Sequence, residues 1–322
     1  MKNEKFKMQN ARNCLNKNHR RCFCSAIYLL HFTLVLLVIS LLTGCGEKIE
    51  STSYYYNPSW TNAGRIIYIY GLESIRKDAI GTNLGSSYAE TVMTMNLSGT
   101  NESSVFAVDD EPPYAMSYSP NREYVAYLTQ KVGEEYYKIV IRSTSTEAYT
   151  AMQKTVFLFS PKKVRSFDWS DDGDKIVYCT SDEVRVRAWN NYGTTDTLVT
   201  SEADLKFVSW KYGKRIAFTH GSPEVLSLIY EDRSGRVDLP AAASVSFPQI
   251  SPTNTDEVYG ILGNSYYQVK ISSLTTSEIL ADFKGALPRI SPDGKYAVYS
   301  KVGENSGIYL LDIDRRSEIK IK

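Results

Sequence analysis

ISPDGKYAVY, residues 290–299, places a Ser-Pro-Asp-Gly turn ahead of a run of small, β-branched and aromatic residues. Aspartate can accept hydrogen bonds from its own turn, proline fixes φ, and glycine supplies a positive φ, so the stretch reads as strand, tight turn, strand. Five other segments repeat it: SWTNAGRIIYIY from 59, SYSPNREYVAYL from 117, DWSDDGDKIVYC from 168, SWKYGKRIAFTH from 209 and QISPTNTDEVYG from 249. The large residues that align, Trp60, Tyr118, Trp169, Trp210, Ile250 and Ile290, stand 58, 51, 41, 40 and 40 residues apart. A period near 40 with one tight turn per unit is that of a four-stranded propeller blade.

Two further strand-like runs follow each motif, as in GIYLLDID and SEIKIK of the last unit. Six units of four strands fill residues 57–322, and the expected fold is all-β, a six-bladed β-propeller of four-stranded antiparallel blades. The ring is expected to close by packing the last blade against the first, unless Tyr54–Tyr56 adds a strand. The 24 tyrosines among 322 residues agree, because tyrosine suits a pleated, half-buried surface.

The S-P-D-G turn followed by an I-A-F-like strand resembles the WD-like repeat of TolB-type six-bladed propellers, most clearly at Ser291-Pro292-Asp293-Gly294 and Ser170-Asp171-Asp172-Gly173. In the fourth unit, Lys211-Tyr212-Gly213 is one residue shorter. The resemblance implies a protein partner, with a peptide or extended chain entering the channel mouth. It specifies fold more than function, since propellers carry unrelated activities. The family's separate N-terminal domain is not expected here, so the family's own partners do not transfer.

Residues 1–45 hold seven Lys/Arg (Lys2, Lys5, Lys7, Arg12, Lys17, Arg20, Arg21) against Glu4, leaving 30 basic and 35 acidic residues, about −5, for the rest. That mildly acidic body argues against nucleic acid, which needs a basic footprint. After the basic stretch, AIYLLHFTLVLLVISLL (26–42) has the length of a signal-peptide core. Leu42-Thr43-Gly44-Cys45 behind it resembles the bacterial lipobox, which implies cleavage before Cys45 and lipidation of that cysteine. The expected organisation is therefore a lipoprotein signal peptide at 1–44, lipidated Cys45 with a tether to residue 56, and the propeller at 57–322. An uncleaved membrane anchor is the alternative. Gly46, rather than aspartate, favours the outer membrane facing the periplasm in a two-membrane host. Cys14, Cys22 and Cys24, near His19, lie in the segment to be discarded and receive no role. Only Cys45 and Cys179 then remain, so no internal disulfide is expected, and Cys179 in KIVYCT reads as a small buried hydrophobe.

The first strand of a blade is innermost. The position just before each aligned large residue is Ser59, Ser117, Asp168, Ser209, Gln249 and Arg289, polar in all six units. One step earlier stand Pro58, Met116, Phe167, Val208, Pro248 and Pro288, all apolar. These alternations imply a polar collar around the channel, a binding site or simply the lining of a wet pore, with Asp168 and Arg289 its charged members.

The long unit-one insertion LESIRKDAIGTNLGSS (72–87), DDEPPY from 109 and SPKKVR from 160 map to the face opposite the S-P-D-G turns, either a binding face or tolerated surface loops. Tyr136-Tyr137 and Tyr266-Tyr267 could stack on sugar or a partner, but neighbours in a strand point to opposite faces, so one of each pair is expected in the core.

Beyond residue 45 the only histidine is His220, in FTHGSPE. A serine hydrolase would need it as base. Histidine-built zinc or copper sites are out of reach, and there is no P-loop or dinucleotide fingerprint. Asp171-Asp172-Gly173-Asp174 and Asp109-Asp110-Glu111 cluster oxygens without the loop spacing of an EF-hand, which leaves calcium open. No cofactor or metal is expected. The sequence favours a non-catalytic, lipid-anchored envelope module for protein binding or assembly, with a carbohydrate-binding lipoprotein or a propeller hydrolase as alternatives.

Overall fold

The computed structural model describes residues 48–78, 81–108, 113–120, 124–129, 138–144, 163–189, 196–212 and 214–322. The chain divides into two compact units, residues 53–72 with 89–322, and residues 1–52 with 73–88. The larger unit is the six-bladed propeller anticipated from the repeat. Its inner strands, in blade order, are Lys48–Trp60 (beginning outside this unit), Pro113–Tyr118, Ser166–Trp169, Phe207–Ser209, Ser246–Ile250 and Ala286–Ile290. Each heads an antiparallel meander, as in the last blade, where Ala286–Ile290, Tyr296–Lys301, Gly307–Asp312 and Ser317–Lys320 pair in sequence order. Blade two shows three strands among the described residues, and 145–162 lie outside them.

The repeated turn folds as its chemistry requires. Ser170 Oγ donates to Asp172 Oδ1 (2.5 Å) and accepts Lys175 N–H (2.9 Å), while Gly173 takes φ +68°. In the last blade, Ser291 Oγ donates to Asp293 Oδ1 (2.6 Å), Tyr296 N–H donates to Ser291 Oγ (3.0 Å), and Gly294 takes φ +73°. The Asp171–Asp174 oxygens thus serve their own turn through Asp172. Among the described residues no three His, Cys, Asp or Glu side chains are grouped to hold a metal.

Core packing is circular. Six apolar clusters each join neighbouring blades, from Trp169 and Phe167 against Ile139 and Leu128 between blades two and three, to Trp60, Tyr68 and Met95 against Val298, Ile308 and Leu310 between blades one and six. The ring closes by side-chain packing with no strand exchanged, because each blade is apolar on both faces and must cover each with a neighbour. Cys179 lies wholly buried in the cluster between blades three and four, reduced and packed as a hydrophobe.

Two stretches differ from expectation. Residues 48–56, expected as tether, form the start of the first inner strand, whose Tyr55 ring packs against Tyr68 and Tyr70. Aromatic rings available for cross-strand stacking favour strand over a free linker there. The insertion at 72–87, read as a binding-face insertion or a tolerated surface loop, continues two strands, Ile66–Lys77 and Asn83–Met95, into the smaller unit. Within that unit Asp78 ties the hairpin by accepting Thr82 N–H at 2.7 Å, and Glu50 pairs with Lys48 and Lys77. Tyr136-Tyr137 and Asp109-Asp110-Glu111 lie outside the described residues. Of Tyr266-Tyr267, Tyr266 is fully buried, and Tyr267 turns out to meet Glu278 (3.0 Å).

Candidate functional site: the channel and its mouth

All six collar positions lie on inner strands, and the apolar position preceding each is buried. Ser59, Ser117, Asp168 and Ser209 are almost wholly buried, Gln249 nearly so, and Arg289 is half-buried. In blades five and six a bulge sets the aim. Phe247 and Leu287 adopt φ of +51° and +50° immediately before Pro248 and Pro288, and strand register slips between Ser246 and Gln249 and between Ala286 and Arg289. Proline, lacking an N–H, suits a bulge, and the bulge re-aims the next side chain. Asn57, at φ +48° before Pro58, repeats the device in blade one.

Four of the collar residues form one hydrogen-bonded chain. Asp168 Oδ1 accepts Ser117 Oγ–H (3.1 Å), and Oδ2 accepts Ser209 Oγ–H (3.2 Å) and the backbone N–H groups of Trp210 (3.1 Å) and Lys211 (3.2 Å). Gln249 reaches Ser209 Oγ at 3.5 Å. The Asp168 carboxylate is thereby occupied in tying blades two, three and four together. Arg289 differs: among the described residues its guanidinium makes no hydrogen bond or ion pair, although its backbone carbonyl accepts the Trp60 indole N–H at 2.7 Å.

The structure adds two residues the alternation did not include. Lys211 is buried, and its ammonium donates to the carbonyl of Tyr118 across the ring (2.7 Å). Burial pushes Lys211 down to about 8, with Asp168 opposing the shift and Arg289 adding to it. Tyr212 stands at φ +76°, a left-handed conformation that a bulky side chain rarely adopts and that glycine fills in the third and sixth turns. Among the described residues its hydroxyl oxygen is buried with no hydrogen-bond partner. Burial, followed by the charge of Asp168, holds that phenol protonated, and the charges of Arg289, Asp171 and Asp293 also reach it. Lys211 Nζ lies 5.2 Å from the centre of the Tyr212 ring and reaches the carbonyl of Tyr118, the last residue of blade two's inner strand, so both side chains lie at the turn-side end of the inner strands. The shortened Lys211-Tyr212-Gly213 turn was the visible signal, a departure that looked like mere degeneracy.

At the other end, where the inner strands begin, a cavity of about 540 Å³ opens. Ala115, Lys163, Arg165, Lys206, Phe207 and Leu287 line it, from blades two, three, four and six, which places it on the channel axis. SPKKVR, assigned to this face from sequence, supplies Lys163 and Arg165. Phe207 packs against Phe247, the rings tilted by 38° with centroids 3.9 Å apart. Arg165 is braced by Asp204 (3.3 Å) and the carbonyl of Leu205 (2.8 Å), and Lys206 by Glu224 (3.3 Å). The mouth combines apolar and aromatic side chains with the cations Lys163, Arg165 and Lys206, the last two braced by carboxylates.

His220 has acquired a serine neighbour. Its Nε2 lies 2.9 Å from Ser227 Oγ, and Nδ1 lies 3.7 Å from Glu202. The outline is that of a catalytic triad, but Ser227 is fully buried in a middle strand and its hydroxyl donates to Asp238 at 2.6 Å. A carbonyl substrate cannot approach that oxygen without opening blade four, and its proton is already directed to a carboxylate.

No protein-family model matches the chain, and no curated protein does. Solved structures match its fold. TolB from Acinetobacter baumannii superposes with a TM-score of 0.56 at 12% identity, covering 84% of this chain and 78% of that one. A nidogen/laminin complex gives 0.55 at 9%, covering 85% and 92%. An oligogalacturonate lyase in complex with manganese gives 0.51 at 11%, covering 84% and 78%. At these identities the likeness establishes the propeller. A binding protein and a lyase share it, so function must be argued from the site.

Proposed function

We infer that the protein is a non-catalytic binding module of the bacterial cell envelope, anchored by lipid on Cys45, that takes an extended segment of a partner protein into its channel from the mouth. The observation that carries this reading is the 540 Å³ cavity at the channel mouth, lined by Phe207, against which Phe247 packs, and Leu287 together with Lys163, Arg165 and Lys206. Such a surface offers aromatic anchors for apolar side chains and cations for acidic ones, the composition of a binding hot spot. A nidogen/laminin complex is among the structures that share the fold, which supports a protein partner. The buried setting of Ser227 argues against hydrolysis at His220.

The anchor and envelope location follow from the Leu42-Thr43-Gly44-Cys45 motif behind its apolar run. Cys45→Ser should prevent palmitate labelling and release the protein from membranes; unchanged retention would indicate a spanning helix instead. Partner binding is tested with a photo-crosslinking amino acid placed, in living cells, at Phe247 in the mouth or at exposed Leu274 on an outer turn. A partner captured from position 247 and not from 274 supports the reading. Equal capture from both, or from neither, overturns it.

A further inference from the structure

Among the described residues, the turn-side end of the channel carries a positive charge without a matching countercharge. Lys211 and Arg289 bring two positive charges and Asp168 one negative, and the four hydrogen bonds that the Asp168 carboxylate accepts come from neutral groups. Asp171 and Asp293 also bear on the region, but both are exposed on turns, where water screens them. Arg289, half-buried, has a guanidinium with no protein acceptor among the described residues. Tyr212 has a buried hydroxyl with none. A buried phenol without a partner costs free energy that folding normally avoids, and its strained backbone adds to that cost. Lys211 Nζ lies over the Tyr212 ring, 5.2 Å from its centre, so the ammonium is held against the face of the phenol.

We propose that Arg289, Lys211 and Tyr212 form a receptor for a single carboxylate at the turn-side end of the channel. Arg289 supplies the planar fork that matches a carboxylate, Tyr212 the hydroxyl donor, and Lys211 a compact charge alongside. One surplus positive charge matches a monoanion. A phosphate dianion would leave the site negative in a buried setting, which is costly. The proposal deepens the binding-module reading by naming the chemical group the channel receives, and it rests on that reading only for the direction of entry. The carboxylate comes either from a partner's side chain or C-terminus or from a free small acid.

The test uses the folded protein with ¹³Cζ-labelled tyrosine, the Tyr212 resonance being assigned from Tyr212→Phe. N-acetylglycine, a monocarboxylate that mimics a peptide C-terminus, should move that resonance saturably, and N-acetylglycinamide, its neutral counterpart, should not. Arg289→Gln should weaken N-acetylglycine at least tenfold, with partial recovery in Arg289→Lys. Tyr212→Phe, followed by calorimetry, should weaken it about threefold to tenfold without lowering Tm, an outcome a purely structural tyrosine would not give. No movement of the Tyr212 resonance, equal effects of acid and amide, indifference to Arg289→Gln, or tighter binding of inorganic phosphate would each overturn the assignment. Repeating the Phe247 crosslinking in Arg289→Gln separates the sources: lost capture assigns the carboxylate to the partner, and retained capture assigns it to a free acid. Crosslinking without N-acetylglycine binding sinks this site and leaves the mouth standing, and the converse sinks the partner reading alone.

Discussion

Asp168 accepts the backbone N–H of Lys211 at 3.2 Å, while the Lys211 side chain turns away and gives its ammonium to the carbonyl of Tyr118 at 2.7 Å. The two residues attract through charge, and both reach blade two: Asp168 accepts the Ser117 hydroxyl there, while Lys211 donates to Tyr118. Asp168→Ala would therefore strand two backbone N–H groups and two serine hydroxyls and leave Lys211 without its countercharge. Removing one partner of a buried charged network costs about 3–5 kcal/mol. In Asp168→Asn the remaining oxygen can still serve the two N–H groups while Ser117 turns to accept, so the cost should be about 1–2 kcal/mol. Urea unfolding of both variants checks this; equal and small losses would show that the carboxylate does not hold the three blades.

Glu90 gives the fold a pH dependence. Its carboxyl is buried and accepts the Tyr56 hydroxyl, and burial pushes it up to about 7 from 4.5. Because the folded value exceeds the unfolded one, the folded protein holds the extra proton between them. The protonated form's stability is fully present below about pH 4.5 and is lost as pH rises through about 7. Discounted for the solvent that still reaches the site, the loss is about 1–2 kcal/mol. Glu90→Gln, neutral throughout, should match wild type near pH 5 and exceed its urea midpoint near pH 8. A variant that is weaker at pH 8 would mean that the ionised carboxylate is the stabilising form.

How far the sequence reached depends on the range of the interactions. Strand order, the repeated turn and the collar positions were legible because each is local: a Ser-Asp-Gly turn bonds to itself, and period-two alternation sets Pro58 or Phe167 against the neighbouring polar residue. The cavity mouth was only partly legible, since Ala115 and Leu287 line it together from blades two and six, at a sequence separation no local pattern encodes. Lys211 and Tyr212 escaped because they occupy a turn that breaks the repeat, and a broken repeat looks alike whether it has decayed or acquired a function. Residues 48–56 were read as tether because polar residues there mask the aromatic contacts that make them strand. The segment through residue 47, which carries the apolar run and Cys45, lies outside the described residues.

Cys179 should be chemically silent in the native protein. It is wholly buried, and burial pushes its thiol up to about 12, so the thiolate that reacts is scarcely present. With Cys45→Ser as background, iodoacetamide should leave residue 179 unmodified for hours at pH 8 and alkylate it promptly in urea. Fast native labelling would show that blades three and four separate readily.

The last prediction concerns ring closure. The Trp169 indole of blade three donates to the carbonyl of Ser117, the collar residue of blade two, at 3.0 Å. The Trp60 indole of blade one donates in the same way to the carbonyl of Arg289 in blade six, at 2.7 Å. One device therefore both joins successive blades and shuts the ring, since blades six and one are joined by packing and not by a shared strand. At Trp60 it also fixes the backbone that presents Arg289 to the channel. Trp60→Phe keeps most of the apolar burial and removes the donor, leaving a buried carbonyl unpaired at about 1–3 kcal/mol. Trp60→Ala empties the junction as well, and should cost about 3–5 kcal/mol. Trp169→Phe should cost as much as Trp60→Phe in urea unfolding, but only Trp60→Phe should also weaken N-acetylglycine, because only that indole holds the backbone of Arg289. Equal effects of the two substitutions on the ligand would show that the closure bond does not position the guanidinium.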